Sequence, residues 1–327
     1  MPDSHSVSGS VKEREKDMKY IFGVDLGGTT VKMGLFNESG EVLEKWEIKT
    51  VKDNNGSQIL PDIAASINKK VAEKNLIKED VIGVGIGAPG PIDDDGNIYG
   101  APNLGWGTFN VSKTLSDLTG FKVKTGNDAN VAALGEMWMG GGKGYNSIVM
   151  VTLGTGVGGG VIIDGKIVAG AKGAGGEIGH IFMDENETET CGCGKKGCLE
   201  QYGSATGVVR LAKRRLEKDD KPSILRNKDI NCKVVWDAVK EGDEVAIDIA
   251  NEFGKILGRG LGIIACVVNP QAFVIGGGVS KAGEIILDYI VDNFKETTFR
   301  GCKDTDFKLA TLGNDAGIYG AAKLVID

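Results

Sequence analysis

The sequence lacks a basic excess, an apolar run of bilayer length, a Walker phosphate loop and, with two exceptions, histidine. Each absence removes a class of function. Its 38 Lys and Arg against 45 Asp and Glu leave a formal charge of −7, and the pI near 5.2 argues against a surface that neutralises nucleic-acid phosphates. Without an apolar run of spanning length, no transmembrane helix is expected. Without GxxxxGK[ST], a P-loop nucleotide site is unsupported. The opening MPDSHSVSGSVKEREKD has no apolar core and does not read as a secretory signal. Residues 1–18 are expected to be a disordered extension or tag, with Met18 a candidate natural start. Six cysteines in a 327-residue chain do not make a disulfide scaffold, so a reducing cytoplasm is expected.

Glycine is abundant, with 51 residues. It collects directly after β-like runs, in GVDLGGTT, VIGVGIGAPG, MVTLGTGVGGG and FVIGGGVS. Glycine at a strand end lets main-chain amides approach a ligand closely. Residues 19–36 read as strand, glycine turn and strand, and EVLEKWEIKT as a third strand. SQILPDIAASINKKVAEKNL has helical apolar spacing, and GNDANVAALGEMWMG opens like a helix near Asn127 or Asp128. LGTGVGGGVIIDGKIV then repeats the order of LGGTTVKMGLFNESGEVL with a one-residue gap. This implies two related α/β halves, each opening with a phosphate-grasping hairpin. Long helices are expected around 246–268, in EIILDYIVDNFKETT and at the C-terminus, with a strand at QAFVIGGGVS.

Gly154-Thr155-Gly156-Val157-Gly158-Gly159 matches GxGxxG, but a dinucleotide fingerprint needs a helix next. GVIIDGKIVAG follows, a β-branched run with a DG turn, so a second hairpin is expected instead. Asp25 stands at the end of the first strand. Gly27, Gly28, Thr29 and Thr30 would cradle a γ-phosphate, with Lys32 just beyond, and Asp25 would hold Mg²⁺ through water. Gly154, Thr155 and Gly156 would take the β-phosphate.

Cys191, Cys193 and Cys198 fall within eight positions, with His180 upstream and Glu177 and Glu200 at the flanks. Three cysteines and a histidine form a common set for structural zinc. A reduced loop of free thiols is the alternative. Asp128, near a helix start, reads by itself as a cap.

VDLGGTT, LGTGVGGG, GEIGH and CGCGKKGCLE together resemble the ROK family of sugar kinases, within the actin-like ATPase superfamily, over nearly all of residues 19–327. The resemblance implies an α/β, actin-like (ribonuclease H-like) two-domain fold with duplicated halves and an interdomain cleft. It places a smaller domain at 19–133 plus 313–327 and a larger one, with the zinc loop, at 134–312. It implies zinc on His180, Cys191, Cys193 and Cys198, and sugar contacts from Glu177, His180, Glu200 and Asn127. APNLGW resembles a sugar loop and adds Asn103. The resemblance turns Asp128 from a cap into the general base that takes the C6 hydroxyl proton as the γ-phosphate of Mg·ATP is transferred, with Gly276, Gly277 and Gly278 bordering adenosine. Glucose is the implied acceptor. Other hexoses, or a non-catalytic sugar sensor, are the alternatives, and a cytoplasmic homodimer with no nucleic-acid or membrane partner is expected.

Overall fold

The structure, a computed structural model, describes residues 18–326. The expectation for the first residues, His5 included, lies outside that range apart from Met18. The chain forms two compact units. The first holds the described residues through Met139, Ala169–Ala174, and the chain from Asn314 onward; the second holds Gly140–Val168 and Gly175–Gly313.

In chain order the first unit is built from β1 (Tyr20–Leu26), β2 (Thr30–Asn37), β3 (Val42–Lys49), α1 (Ile59–Glu73), β4 (Val81–Ala88), β5 (Asn97–Ala101), β6 (Trp106–Asn110), α2 (Val111–Thr119), β7 (Val123–Asn127) and α3 (Asp128–Met139). Its sheet runs β3-β2-β1-β4-β7. The β1–β2 and β2–β3 pairs are antiparallel, and β4 and β7 join in parallel. β5 and β6 form a separate antiparallel hairpin. The second unit contains β8 (Ile148–Leu153), β9 (Val157–Ile163), β10 (Lys166–Ile167), α4 (Ala205–Lys218), α5 (Cys232–Lys240), α6 (Glu244–Val268), β11 (Ala272–Gly276), α7 (Ile285–Thr297) and β12 (Asp306–Leu309). Its sheet runs β10-β9-β8-β11-β12, again two antiparallel pairs followed by two parallel ones. The repeat read from the sequence is therefore a repeat of topology. β8 and β9 make the hairpin expected in place of a dinucleotide-binding turn.

The final helix α8 (Ala316–Ile326) returns to the first unit. Strand alternation explains how it docks. Phe22, Val24 and Leu26 face the core shared with α1 and α2, while Ile21 packs with Ile318, Ala322 and Val325 of α8 on the other face. With a period of two, Gly23 and Asp25 share the α8 face. The approach needs glycine: a Cβ on Gly85 would lie 1.7 Å from the Ala321 carbonyl oxygen, and one on Gly320 1.7 Å from that of Val131. In the second unit α6 and α7 cover the sheet, with Val149, Val151, Phe273, Ile275, Phe253 and Phe294 in one apolar core.

Side chains start four of the helices. Asn110 caps α2, Ser204 caps α4, Asn231 caps α5 and Asp243 caps α6, each accepting a hydrogen bond from a first-turn amide. No helix among the described residues is long and apolar enough to cross a membrane.

Candidate active site

In the first unit the β1–β2 turn presents its tip outward. The Gly27 amide donates to the Thr30 carbonyl at 3.1 Å, and the Thr50 hydroxyl donates to the Gly27 carbonyl at 2.7 Å. Gly27 thus shapes the turn, its amide engaged internally. Thr29 is exposed, and a Cβ on Gly28 would meet nothing within 4 Å, so the tip has room for a ligand. Lys32 pairs across the hairpin with Asp25 and donates to the Asn314 carbonyl at 3.0 Å.

Asp25 lies against the first turn of α8: a Cβ on Gly317 would sit 2.5 Å from its carboxyl carbon. Burial pushes its pKa up to about 6. The Lys32 charge opposes the shift, and the negative charge of Asp128 adds to it. Asp25, Lys32 and Asp128 therefore form one electrostatic group.

Asp128 opens α3, and the structure divides the work there. Asn127 does the capping: its Oδ1 accepts from the Ala129 amide at 3.0 Å and the Asn130 amide at 3.2 Å, and its Nδ2 donates to the Gly90 carbonyl at 3.0 Å. Asp128 accepts from the Ala129 amide at 2.8 Å, a bond that orients its carboxylate. The cap reading of Asp128 thus passes mainly to Asn127. Asn103 sits apart on the exposed turn Pro102–Leu104 between β5 and β6.

In the second unit the β8–β9 turn closes as its counterpart does. The Gly154 amide donates to the Gly156 carbonyl at 3.0 Å, and Thr155 is exposed. The glycine loop after β11 packs directly on β8, since a Cβ on Gly277 would lie 2.5 Å from the Leu153 carbonyl oxygen. Gly277 has φ +86°, a conformation that favours glycine. Thr155 and Gly278 share a pocket of 760 Å³ with Thr206 of α4, Asn231, Trp236 of α5 and Lys281. The contributions of α4 and α5 were missed in the sequence reading. Their capped, periodic stretches mark helices, but nothing local ties them to a glycine loop dozens of residues away.

The cysteine loop closes on itself. The Cys191 amide donates to the Lys195 carbonyl at 2.7 Å, and Phe182 and Cys198 form an isolated bridge. The Sγ atoms of Cys191, Cys193 and Cys198 and a ring nitrogen of His180 all lie within 4.8 Å of one another. Cys193 and Cys198 Sγ are 3.6 Å apart, and Cys191 Sγ is 3.8 Å from His180 Nδ1. A tetrahedron with Zn–S near 2.3 Å has edges of about 3.8 Å, so these four residues fit zinc. Glu200 links the loop to the second hairpin. Its Oε1 accepts from Cys191 Sγ at 3.0 Å, and its Oε2 accepts from the Val157 amide at 3.4 Å. Glu177 Oε2 is 4.0 Å from His180 Nε2, so the two ring nitrogens face different partners.

A buried ion network anchors the loop from behind, and it too was missed. The Glu187 side chain is fully buried, receives Arg214 at 2.8 and 3.1 Å and the Tyr202 hydroxyl at 2.7 Å, and is held down to a pKa of about 2. Gln201 joins this network to the metal set, since its Oε1 accepts from the Cys198 amide at 3.1 Å.

Known proteins match over more than nine-tenths of the chain. The glucokinase of Halalkalibacterium halodurans is 41% identical over 313 residues, 94% of this chain and 95% of that one. The crystal structure of a ROK family glucokinase from Streptomyces griseus, in complex with glucose and AMPPNP, superposes with a TM-score of 0.69 at 36% identity, covering 93% of this chain and 98% of that one. The ROK hexokinase of Thermus thermophilus superposes with a TM-score of 0.76 at 29% identity, covering 93% and 97%. The fold is that of the actin-like ATPases. The sequence profile described as ROK family matches residues 21–327, and the chain belongs to that family.

Proposed function

We propose that the chain is a glucokinase, transferring the γ-phosphate of ATP to the C6 hydroxyl of glucose. The observation that carries this reading is its 41% identity to a glucokinase across 94% of the chain, with a carboxylate at the head of α3 whose neighbour does the capping. Phosphoryl transfer needs a positioned acceptor, a base and neutralised phosphate charge. Asp128 accepts the proton of the C6 hydroxyl as that oxygen bonds to the γ-phosphorus and the bond to the β-phosphate oxygen breaks, releasing ADP. Gly27, Gly28, Thr29, Thr30 and Lys32 serve the γ-phosphate, and Gly154, Thr155 and Gly156 the β-phosphate. Gly276, Gly277 and Gly278 border adenosine, which the 760 Å³ pocket would take. Asp25 would hold Mg²⁺, whose chemistry is to neutralise charge on the phosphates.

Asn103, Asn127, Glu177, His180 and Glu200 are assigned to the sugar hydroxyls. Asn127 has its second amide hydrogen to offer, since the first is given to Gly90. His180, Cys191, Cys193 and Cys198 would hold zinc in a structural role, because four protein ligands leave no open position. Ligation would fix His180 and take the thiol proton that Cys191 gives to Glu200, leaving Glu200 its contact with the Val157 amide. Six unpaired cysteines fit a cytoplasmic setting. Ile263, Cys266 and Val267 share an exposed stripe at i, i+3 and i+4 on α6, and such a stripe supports a homodimer.

The test is a coupled assay of ADP release with Mg·ATP and glucose, mannose, fructose, N-acetylglucosamine or N-acetylmannosamine, against a blank without sugar. Glucose-dependent release is expected. Turnover confined to an N-acetylated sugar keeps the mechanism and overturns the substrate. A folded protein that turns over none of them is a sugar sensor or uses a phosphate donor other than ATP.

A further inference from the structure

We infer that the turn Asp53–Gly56 is a clamp that positions the loop carrying Asn103, so that acceptor affinity depends on a backbone contact remote from any catalytic group. The inference rests on the proposed assignment of Asn103 to the sugar. Three consecutive residues of this turn are left-handed: Asn54 at φ 51°, Asn55 at φ 56° and Gly56 at φ 66°. L-residues visit this region singly rather than in runs, and such a run persists only where its surroundings over-determine it.

The surroundings here are the Asn103 loop. A Cβ on Gly56 would lie 2.4 Å from the Leu104 carbonyl oxygen, and one on Gly105 would lie 2.9 Å from Asn55 Cα. Gly105 is itself left-handed, at φ 78°. The buried Trp106 indole donates to the Gly56 carbonyl at 3.2 Å. Two left-handed backbones therefore meet with only hydrogen between them, and an indole pins them together. The opposite side of the β5–β6 hairpin is held in the same way. A Cβ on Gly90 would lie 2.5 Å from the Gly100 carbonyl oxygen, and Gly90 receives the amide of Asn127 at the head of α3. Asn103 is exposed and its turn is short, so the hairpin's two glycine contacts set where its side chain stands relative to Asp128. The contacts that hold the clamp run to Leu104, Gly105 and Trp106, whereas the β1–β2 turn is tied to Thr50, upstream of it.

Gly56→Ala forces the contact apart, and Trp106→Phe removes the indole donor together with part of a ring packed in the core against Phe109. Trp106→Phe carries the test where Gly56→Ala does not fold. Hydrogen exchange of peptides covering 98–107 is measured without ligand, then KM for sugar and for ATP. Exchange across 101–106 should quicken about tenfold, the scale of one lost buried hydrogen bond, with α3 unchanged. Sugar KM should rise by about the same factor while ATP KM stays within about twofold. Unchanged exchange at 101–106 in both variants overturns the clamp, as does a parallel rise in both KM values. Faster exchange in the variants of a protein that phosphorylates no sugar upholds the clamp and overturns the kinase reading.

Discussion

Replacing Asp25 by Asn should stabilise the free protein while abolishing phosphoryl transfer. The side chain is half-buried beside α8, and its pKa stands at about 6 rather than 3.8. The sign follows from proton binding. Between pH 3.8 and about 6 the folded carboxyl keeps a proton that the unfolded one has lost, so stability falls as pH rises through that window and stays lower above it. At 1.36 kcal/mol per unit, the full penalty above pH 6 is about 3 kcal/mol, and partial solvent screening brings the expected figure to ~1.5–3 kcal/mol. Asparagine has the same shape and no charge, so the Gly317 contact survives. At pH 8 without nucleotide, calorimetry should show the variant melting roughly 3–12 °C higher, at about 2–4 °C per kcal/mol. Its stability should also lack the decline that the parent shows between pH 4 and 6. Adding Mg·ATP should reverse the order, because the parent gains binding energy that the variant has lost. A variant that melts lower at pH 8, or declines with the same slope, would refute the account of a carboxylate kept under strain for a cation.

Asp128→Asn should lower kcat by about 10²–10⁴, the usual contribution of a general base, with glucose affinity by calorimetric titration nearly unchanged; a matching loss of affinity would reassign Asp128 to binding. Purified protein should contain about one zinc per chain by mass spectrometry, and chelation or Cys193→Ser should lower the melting temperature and raise sugar KM more than ATP KM. Arg214→Met should destabilise by ~3–5 kcal/mol in denaturant titration, since it leaves the buried Glu187 carboxylate short of its main partner. The stabilisation from Glu187, whose pKa is held at about 2, should be present above pH 4.5 and fade as pH falls towards 2. Gly85→Ala should cost several kcal/mol or prevent folding, because its Cβ would stand 1.7 Å from the Ala321 carbonyl oxygen; a parent-like melting curve would show that α8 can move away from the sheet.

What was legible in the sequence was whatever repeats locally. The two hairpins showed as β-branched runs broken by glycine, and α6, α7 and α8 showed by apolar spacing. The β5–β6 hairpin was not read, because WGTFN has little alternation and its partner begins beside an aspartate-rich turn. The left-handed turn at 54–56 was missed because Asn-Asn-Gly reads as an ordinary loop. Its conformation is fixed by Leu104 and Trp106, some 50 residues on. Cys191 and Cys193 stand two positions apart and His180 eleven before Cys191; sequence could name all of them, and the fold brings their ligand atoms together. At the head of α3, sequence could name a capping pair but not divide its labour. The geometry does, giving the cap to Asn127.

The duplication explains both the clarity of the frame and the obscurity of the chemistry. VDLGGT and VTLGTG occupy matching places in sheets of identical order, so Leu26 corresponds to Leu153 and Gly27 to Gly154. In both turns that glycine's amide is tied inward and the following residues face out. The position before the leucine differs: Asp25 in the first half, Thr152 in the second. Only the first half sets a carboxylate under α8, beside a glycine that leaves room for it and within the field of Asp128. A repeated fold thus supplies two similar ligand-facing turns, and in the proposed reading the single difference at the strand end would assign Mg²⁺ to one of them. Thr152→Asp would test this assignment: with Gly158 across the hairpin where Asp25 has Lys32, the new carboxylate should not restore activity to Asp25→Asn, and any measurable rescue in the ADP-release assay would show the two halves to be chemically interchangeable.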